Sequence, residues 1–450
     1  MLAATADRAH ATGVSRLVID DAVSPPAIPG SDRMAWWREA RFGLFVHWGL
    51  YAIPGGEWGG RTDYGEWIRN NAKIPREEYD QFLARWQPTA FDPDALARLA
   101  QRAGMRYLVI TTKHHDGFAL WPSRHGDFNV SRTGDRRNIM RLVADACRRH
   151  DVVPCWYHSI MDWHHPDYLP RRDWELAQRP EAGADFRRYV DFLHAQVEEL
   201  LTDYGDIGVM WFDGEWESTW TQELGAALAD KCRALQPQVL VNNRVAPNRS
   251  GMADARIGQI GDFGTPEQNI PDRGLPGVDW ESCITMNHNW GFNRADHDFK
   301  SLPQLIGLLT ETASKGGNLL LNVGPMATGD VPPVSVERLQ GIARWMDRHG
   351  DAIHGTIATP FASARFRATQ SPLGDRINVF LPDWTGGELL IPGLRTTPSR
   401  ATMLGASALD VLPVRTVDSG VVVTLPSQRS DPVCSVLRLE ATTRLDVRAP

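Results

Sequence analysis

The sequence predicts an α/β fold: a distorted (β/α)8-like barrel over residues 33–357, followed by a small antiparallel β-sandwich domain over residues 358–450, with residues 1–32 as an N-terminal arm. Two observations predict it. Before residue 330, an apolar run that breaks off on polar side chains recurs eight times, and segments of helical period fill most of the gaps. After about residue 358, apolar residues alternate with their neighbours instead, and turn signals separate the runs.

The arm holds Pro25, Pro26 and Pro29 and little periodicity. Trp36-Trp37-Arg38-Glu39-Ala40 reads as a short helix leading into the first strand. Phe42-Gly43-Leu44-Phe45-Val46 then ends at His47-Trp48-Gly49, and Tyr107-Leu108-Val109-Ile110 leads to Lys113-His114-His115-Asp116-Gly117. Val152-Val153-Pro154-Cys155-Trp156 ends at Tyr157-His158-Ser159, and Val209-Met210-Trp211-Phe212 stops on Asp213-Gly214. Val239-Leu240-Val241 ends at Asn242-Asn243-Arg244. Residues 257–260 precede Asp262-Phe263-Gly264-Thr265-Pro266-Glu267. Residues 280–286 end at Asn287, and Leu319-Leu320-Leu321 ends at Asn322-Val323-Gly324-Pro325. Eight candidates are the count of a (β/α)8 barrel.

The helix before the second strand is signalled most fully. Asp92 stands at the N-cap, Pro93 at the first position, Leu96, Leu99, Ala100 and Ala103 form an apolar stripe, and Gly104 closes it. Residues 138–150, 185–202, 219–235, 302–314 and 335–349 share the 3.6-residue period. Residues 245–256 and 268–279 are rich in Pro, Gly, Asn and Asp and read as loops, so helices should be missing after strands five and six. In the last part, Ile377, Val379 and Leu381, then Val421, Val423 and Leu425, then Leu437 and Leu439 alternate as strands do.

Composition narrows the class. A net charge of -7 with no basic run argues against a nucleic-acid partner. No apolar stretch is long enough for a membrane span. The first residues lack a charged start followed by an apolar segment, and the five cysteines are scattered with no CxxC pair. A cytoplasmic protein with free buried thiols is expected, a mature secreted or periplasmic form being the alternative. Many of the 17 tryptophans, among them Trp48, Trp67, Trp163, Trp216 and Trp290, neighbour Asp, Glu, His or Gly, which suggests a ligand groove with aromatic walls and polar anchors.

Chemistry in a parallel barrel sits at the C-terminal ends of the strands, which is where Asp213 falls. Its alternative role is the N-cap of the next helix. Hydrolysis of a glycosidic bond needs two facing carboxyl groups, one ionised and one protonated. Glu267 and Glu281 both qualify as partners of Asp213. Glu267 is preferred, because Phe263 and Pro266 should give it an apolar setting that keeps it protonated. Glu281, at the start of a strand, would otherwise form a buried salt bridge to an Arg. His114 and His115, with Asp116, His158, His164 and His165, admit a metal site or a set of hydrogen-bonding groups for ligand hydroxyls. Adjacent histidines do not have the i, i+4 spacing of a helical zinc site, so ligand binding is preferred and no metal is expected. Arg244, beside Asn242 and Asn243, would bind a hydroxyl or hold Asp213 ionised.

These residues resemble a known family. Residues 36–49 (WWREARFGLFVHWG), Tyr64-Gly65-Glu66-Trp67, residues 113–118 (KHHDGF), residues 211–214 (WFDG), Thr265-Pro266-Glu267 and residues 316–325 (GGNLLLNVGP) are similar to the α-L-fucosidases of glycoside hydrolase family 29, in order from about residue 34 to 360. The resemblance implies a retaining exo-hydrolase without cofactor, acting on terminal α-L-fucose of a fucosylated oligosaccharide or glycoconjugate. It implies Asp213 as nucleophile and Glu267 as acid/base. The sugar pocket would comprise His47, Glu66, Trp67, His114, His115, Tyr157, Trp211, Arg244 and Trp290. Fucose carries a methyl where most hexoses carry a hydroxymethyl, which suits an aromatic wall such as Trp211 or Trp290. Another retaining glycosidase on the same barrel, or a metal-dependent hydrolase using the histidines, are the alternatives.

Overall fold

A computed structural model describes residues 32–251, 260–361, 366–406 and 410–448. The expected arm, apart from Asp32, lies outside the described residues, as does candidate strand 257–260 apart from Ile260.

Seven parallel strands form the main sheet: β1 (Phe42–Val46), β2 (Tyr107–Lys113), β3 (Val153–Ser159), β4 (Val209–Asp213), β5 (Leu240–Val241), β6 (Glu281–Thr285) and β7 (Asn318–Val323). They pair in the order β5-β4-β3-β2-β1-β7-β6. The gap between β5 and β6 is spanned by an irregular stretch. Single parallel bridges join Phe263 to Asn242, Gly264 to Trp280 and Glu267 to Cys283. The stretch from Phe263 to Glu267, which follows candidate strand six, is therefore itself the eighth stave. Pro266 has no N–H to give a ladder, so regular pairing cannot run through this stretch.

The strands read as apolar runs because both faces are covered. Phe45, Tyr107, Val109, Cys155, Tyr157, Val209, Trp211, Phe263, Cys283 and Leu320 fill the barrel interior. Leu44, Leu108, Ile110, Trp156, Met210, Phe212, Leu319 and Leu321 pack in the outer core. This two-residue alternation puts Trp211 and Asp213 on the same, inner side of β4.

Outer helices follow the sequence signals closely. Pro93–Arg102 is capped by Asp92, Ile139–Arg149 by Asn138, Phe186–Thr202 by Asp185 and Gln222–Leu235 by Thr221. Leu302–Ser314 begins with a capping box of Ser301 and Gln304, and Pro333–His349 is the last helix of the barrel. Only two short 3-10 turns, Asn243–Val245 and Pro247–Gly251, follow β5 among the described residues, and residues 268–279 hold no helix. Because Thr221 caps the helix after β4, Asp213 is not an N-cap. Among the described residues no helix is long and apolar enough to cross a membrane.

The remaining strands are β8 (Ala368–Gln370), β9 (Arg376–Leu381), β10 (Gly387–Pro392), β11 (Arg400–Met403), β12 (Val414–Val417), β13 (Gly420–Leu425) and β14 (Ser435–Glu440). They form antiparallel sheets β10-β13-β12 and β11-β14-β9-β8 around Ile377, Val379, Ile391, Ala401, Val421, Val423, Leu437 and Leu439. This sandwich leans on the last two barrel helices. Trp345 Nε1 donates to the Cys434 carbonyl at 2.9 Å, and Arg367 pairs with Glu311 at 2.7 Å.

Gly43 shows how tightly the barrel interior is filled. A Cβ there would fall onto the ring of Tyr107, the residue it pairs with on β2. A buried ring cannot step aside cheaply in a close-packed interior. Gly43→Ala should therefore lower stability by about 1–3 kcal/mol, the cost of overpacking, seen as an earlier urea midpoint with an unchanged slope. An unchanged midpoint would show that the Tyr107 ring has room to move.

Candidate active site

His47, Glu66, Trp67, His114, Tyr157, Trp211, Asp213, Arg244, Glu267 and Trp290 line one pocket of about 130 Å³. His115 touches the same centre through Asp213. A larger cavity of about 340 Å³, between the loops after β2 and β3, contains none of these residues.

Asp213 is the last residue of β4, buried and facing inward. Gly214 then turns the chain at φ +95°, where a Cβ would meet Met161 Cγ at 2.8 Å. The turn is thus open to glycine only. Asp213 Oδ1 accepts from Arg244 Nη1 at 2.8 Å, and Oδ2 accepts from the Tyr157 hydroxyl at 3.1 Å. His115 Nε2 lies 3.6 Å from Oδ2. Burial pushes the carboxyl's pKa up, but the Arg244 charge, then His115 and the Arg244 hydrogen bond, more than offset it and hold Asp213 below its ordinary value.

Arg244 enters from the turn after β5 and is itself buried. Its Nη2 donates to Glu267 Oε2 at 2.9 Å, so a single guanidinium bonds both carboxyl groups. Nε donates to Thr265 Oγ1 at 2.9 Å, and the cation lies 4.7 Å from the Trp211 ring centroid. Burial works against its charge, but Asp213, Cys283, Glu267 and Glu215 together raise it above the ordinary arginine value.

The setting of Glu267 differs from the one expected. Phe263 turns into the barrel and packs on Trp37, 4.7 Å between ring centroids, because alternation sends it inward. The space beside Glu267 is taken by Arg244 at 2.9 Å and by Arg249 at 4.0 Å, and its side chain is 35% exposed. The apolar surroundings foreseen for the acid are thus replaced by two guanidinium groups.

Rings and neutral imidazoles make the walls. Tyr157 stacks on His114 at 5.5 Å and on Trp211 at 5.7 Å; Trp290 leans on His47 at 5.0 Å. Burial lowers His47 to about 3 and His115 to about 4, and takes His114 well below its ordinary value. Each ring is therefore neutral, with one donor and one acceptor, which suits hydroxyl groups. Two of them are held by one nitrogen: His47 Nδ1 lies 2.7 Å from Asn322 Oδ1, and His115 Nδ1 lies 2.6 Å from Ser159 Oγ. Glu66 is buried, its Oε2 accepting from Gly291 N at 3.0 Å, and burial raises its pKa. The other predicted histidines go elsewhere. His158 Nδ1 meets Thr112 Oγ1 at 2.8 Å, and His164 stacks on Phe128 at 3.7 Å. Among the described residues no three His, Cys, Asp or Glu side chains are grouped to hold a metal ion.

Glu281 is neither at the site nor paired with an arginine. It sits lower in the barrel, accepting from the Tyr107 hydroxyl and from Trp211 Nε1 at 3.1 Å. Burial raises it to about 7, with those donors pulling the other way. Sequence reasoning overlooked Glu215 and Arg249, and counted Trp216 only among the tryptophans of a ligand groove. Glu215 and Trp216 directly follow Asp213-Gly214, so their position on the rim was readable. Glu215 is buried, 3.0 Å from Arg249 Nε, and burial, with Asp213 next, raises it to about 7.

A pocket with room for a single sugar ring, aromatic faces for its apolar side and two carboxyl groups across one guanidinium meets the requirements of glycoside hydrolysis. The enzyme class is a glycoside hydrolase. Comparison with known proteins makes this particular: residues 28–351 match the family model described as Alpha-L-fucosidase, and the chain belongs to that family. It is similar to the tissue alpha-L-fucosidase of Homo sapiens, 30% identical over 348 residues that span 74% of this chain and 71% of the other. Among solved structures it is similar to alpha-L-fucosidase isoenzyme 1 from Paenibacillus thiaminolyticus, at 37% identity and TM-score 0.83, covering 91% of this chain and 98% of that one. It is also similar to a GH29 alpha-L-fucosidase of Bacteroides thetaiotaomicron, solved as a trapped covalent intermediate, at 29% identity and TM-score 0.82, covering 91% and 96%.

Glu281 gives a test that separates it from the site. The unfolded chain loses this proton near 4.5 and the folded chain near 7, so the folded state holds the extra proton in that window. The contribution of Glu281 is then fully present below 4.5 and is lost as pH rises through about 7. A glutamine does not ionise. The stability of Glu281→Gln relative to wild type should rise between those pH values, read from urea midpoints, while turnover persists. A pH-independent difference would mean that Glu281 is ionised in the folded protein.

Proposed function

We propose that Asp213 and Glu267 hydrolyse terminal α-L-fucosyl residues of fucosylated oligosaccharides or glycoconjugates by double displacement. The observation that carries these roles is Arg244, one guanidinium bonded to both carboxyl groups at 2.8 and 2.9 Å. A retaining pair stands about 5–5.5 Å apart, and a shared guanidinium suits that spacing.

In the first step an Asp213 oxygen attacks the anomeric carbon while Glu267 gives a proton to the departing glycosidic oxygen. Asp213 suits the nucleophile's role because it is the carboxylate held ionised. The product is a β-linked fucosyl ester. In the second step Glu267 takes a proton from water, the water attacks the same carbon, and Asp213 leaves. Two inversions return the α-anomer. Arg244 and Tyr157 hold Asp213 in orientation before attack. Neutral His47, His114 and His115, with Glu66, supply donors and acceptors for the sugar hydroxyls. Trp211 and Trp290 offer faces for its methyl group.

Asp213→Ala should remain folded and lose roughly three or more orders of magnitude of turnover, since nothing replaces the nucleophile. Azide in its place should convert an activated α-fucoside into the β-fucosyl azide. Near-normal hydrolysis by the folded variant would end the assignment.

Glu267→Ala should respond to the leaving group. A nitrophenolate departs unaided, whereas a sugar alkoxide needs a proton. The variant should cleave a fucosyl-sugar far more slowly than an aryl fucoside. With the aryl substrate, azide should restore turnover and give the α-fucosyl azide, because it intercepts the ester without a base. Equal losses on both substrates and no azide rescue would take the acid/base role away from Glu267.

A further inference from the structure

Trp216 is 48% exposed, and of the 17 tryptophans it alone falls in the exposed class among the described residues. It lines the mouth of the same pocket as Glu267. The indole is held in place. Its ring lies near-parallel to Trp67, at 16° and 6.4 Å between centroids, and edge-on to His115 at 6.0 Å. The chain leading to it is fixed twice, by the Gly214 turn against Met161 and by buried Glu215, 3.0 Å from Arg249. An apolar surface of this size, aimed outward from a braced turn, is the signature of a contact made with something else.

What arrives there follows from the pocket. About 130 Å³ between Phe45, His47, Tyr157, Trp211 and Trp290 admits one monosaccharide. The group bonded to it must lie outside, at the open side of the pocket, where Trp216 stands exposed. We propose that Trp216 is the platform of a leaving-group subsite and takes the apolar C–H face of the pyranose ring to which the fucose is attached. This rests on the fucosidase reading of the pocket. An indole face presents a large rigid apolar area with little side-chain entropy to lose, and a pyranose ring offers a matching face of C–H groups.

The subsite matters only in steps where a ring occupies it. The first displacement on a fucosyl-hexose is such a step. Hydrolysis of the ester by water is not. By microscopic reversibility, transfer of fucose from the ester to an added hexose acceptor uses the subsite again.

The test compares wild type, Trp216→Ala and Trp216→Phe on two substrates, α-L-fucosyl fluoride and a fucosyl-hexose disaccharide. Fluoride carries no ring. Turnover of fucosyl fluoride by wild type first secures the reading of the pocket; its absence would remove that reading rather than the subsite alone. Trp216→Ala should lose about tenfold in kcat/KM on the disaccharide, the scale of one aromatic contact, and stay within about twofold on the fluoride. Trp216→Phe should recover part of the loss. With fluoride as donor and a hexose acceptor present, Trp216→Ala should shift products from transfer toward hydrolysis. Equal losses on both substrates would make Trp216 a brace for His115 and Trp67, and an unchanged disaccharide rate would leave the indole without a ligand; either overturns the proposal.

Discussion

The site depends on keeping one carboxylate ionised inside a barrel. Removing a charge from water is costly, and at Asp213 burial is the largest single influence, pushing toward the neutral acid. Arg244 outweighs it at 2.8 Å, but only because Arg244 is itself anchored. Its Nε is taken by Thr265 Oγ1 at 2.9 Å, and that hydroxyl donates onward to Asn243 Oδ1 at 2.6 Å. Asn242 completes the frame by accepting from Phe212 N at 2.8 Å and donating to the Phe212 carbonyl at 2.9 Å. A buried polar network of this kind is favourable when its members are satisfied, and here the donors and acceptors come from neighbouring staves.

The irregular side of the barrel is what makes this network possible. β5 is only two residues long, and the chain breaks into a 3-10 turn at Asn243, which is how Arg244 reaches inward. The stave after it touches its neighbours through single bridges and places Thr265 and Glu267 beside that guanidinium. A regular strand would spend its backbone groups on the ladder and send alternate side chains outward. Lost pairing regularity on this side is offset by hydrogen bonds to a charged group, which are stronger than those between neutral partners.

Features that are local in sequence were legible. Apolar runs ending on polar residues marked the strands, and caps such as Asp92, Asn138, Asp185 and Ser301 marked the helices. The position of Asp213 at a strand end followed from the same pattern. Environments made by distant partners were not legible. Glu267 was read from Phe263 and Pro266, four residues and one residue away, yet its surroundings are set by Arg244 and Arg249 from another stave. Glu281 was given an arginine, the common partner of a buried acid, but the barrel interior supplies a phenol and an indole from β2 and β4. Tyr107 lies 174 residues from Glu281, and no local pattern announces that encounter.

Asp213 and Glu281 then show why position along a strand decides chemistry. Both are buried acids inside one barrel, both are touched by a tyrosine hydroxyl, and Trp211 lies between them, giving its face to Arg244 and its N–H to Glu281. They differ in one respect, the cation. Neutral donors do not offset burial at Glu281, which rises to about 7, whereas Arg244 with His115 reverses the balance at Asp213. Around Glu281 the interior offers side chains such as Tyr107, Val109, Val209 and Leu320, and the buried Arg41 just before β1 gives its donors to the backbone carbonyls of Gly316 and Thr356 instead. At the C-terminal rim the strands end, and loop carbonyls, Thr265 and the two carboxyl groups become available to Arg244. The charges of the site thus stand in the layer where the strands end, and the reactive carboxylate is one of them.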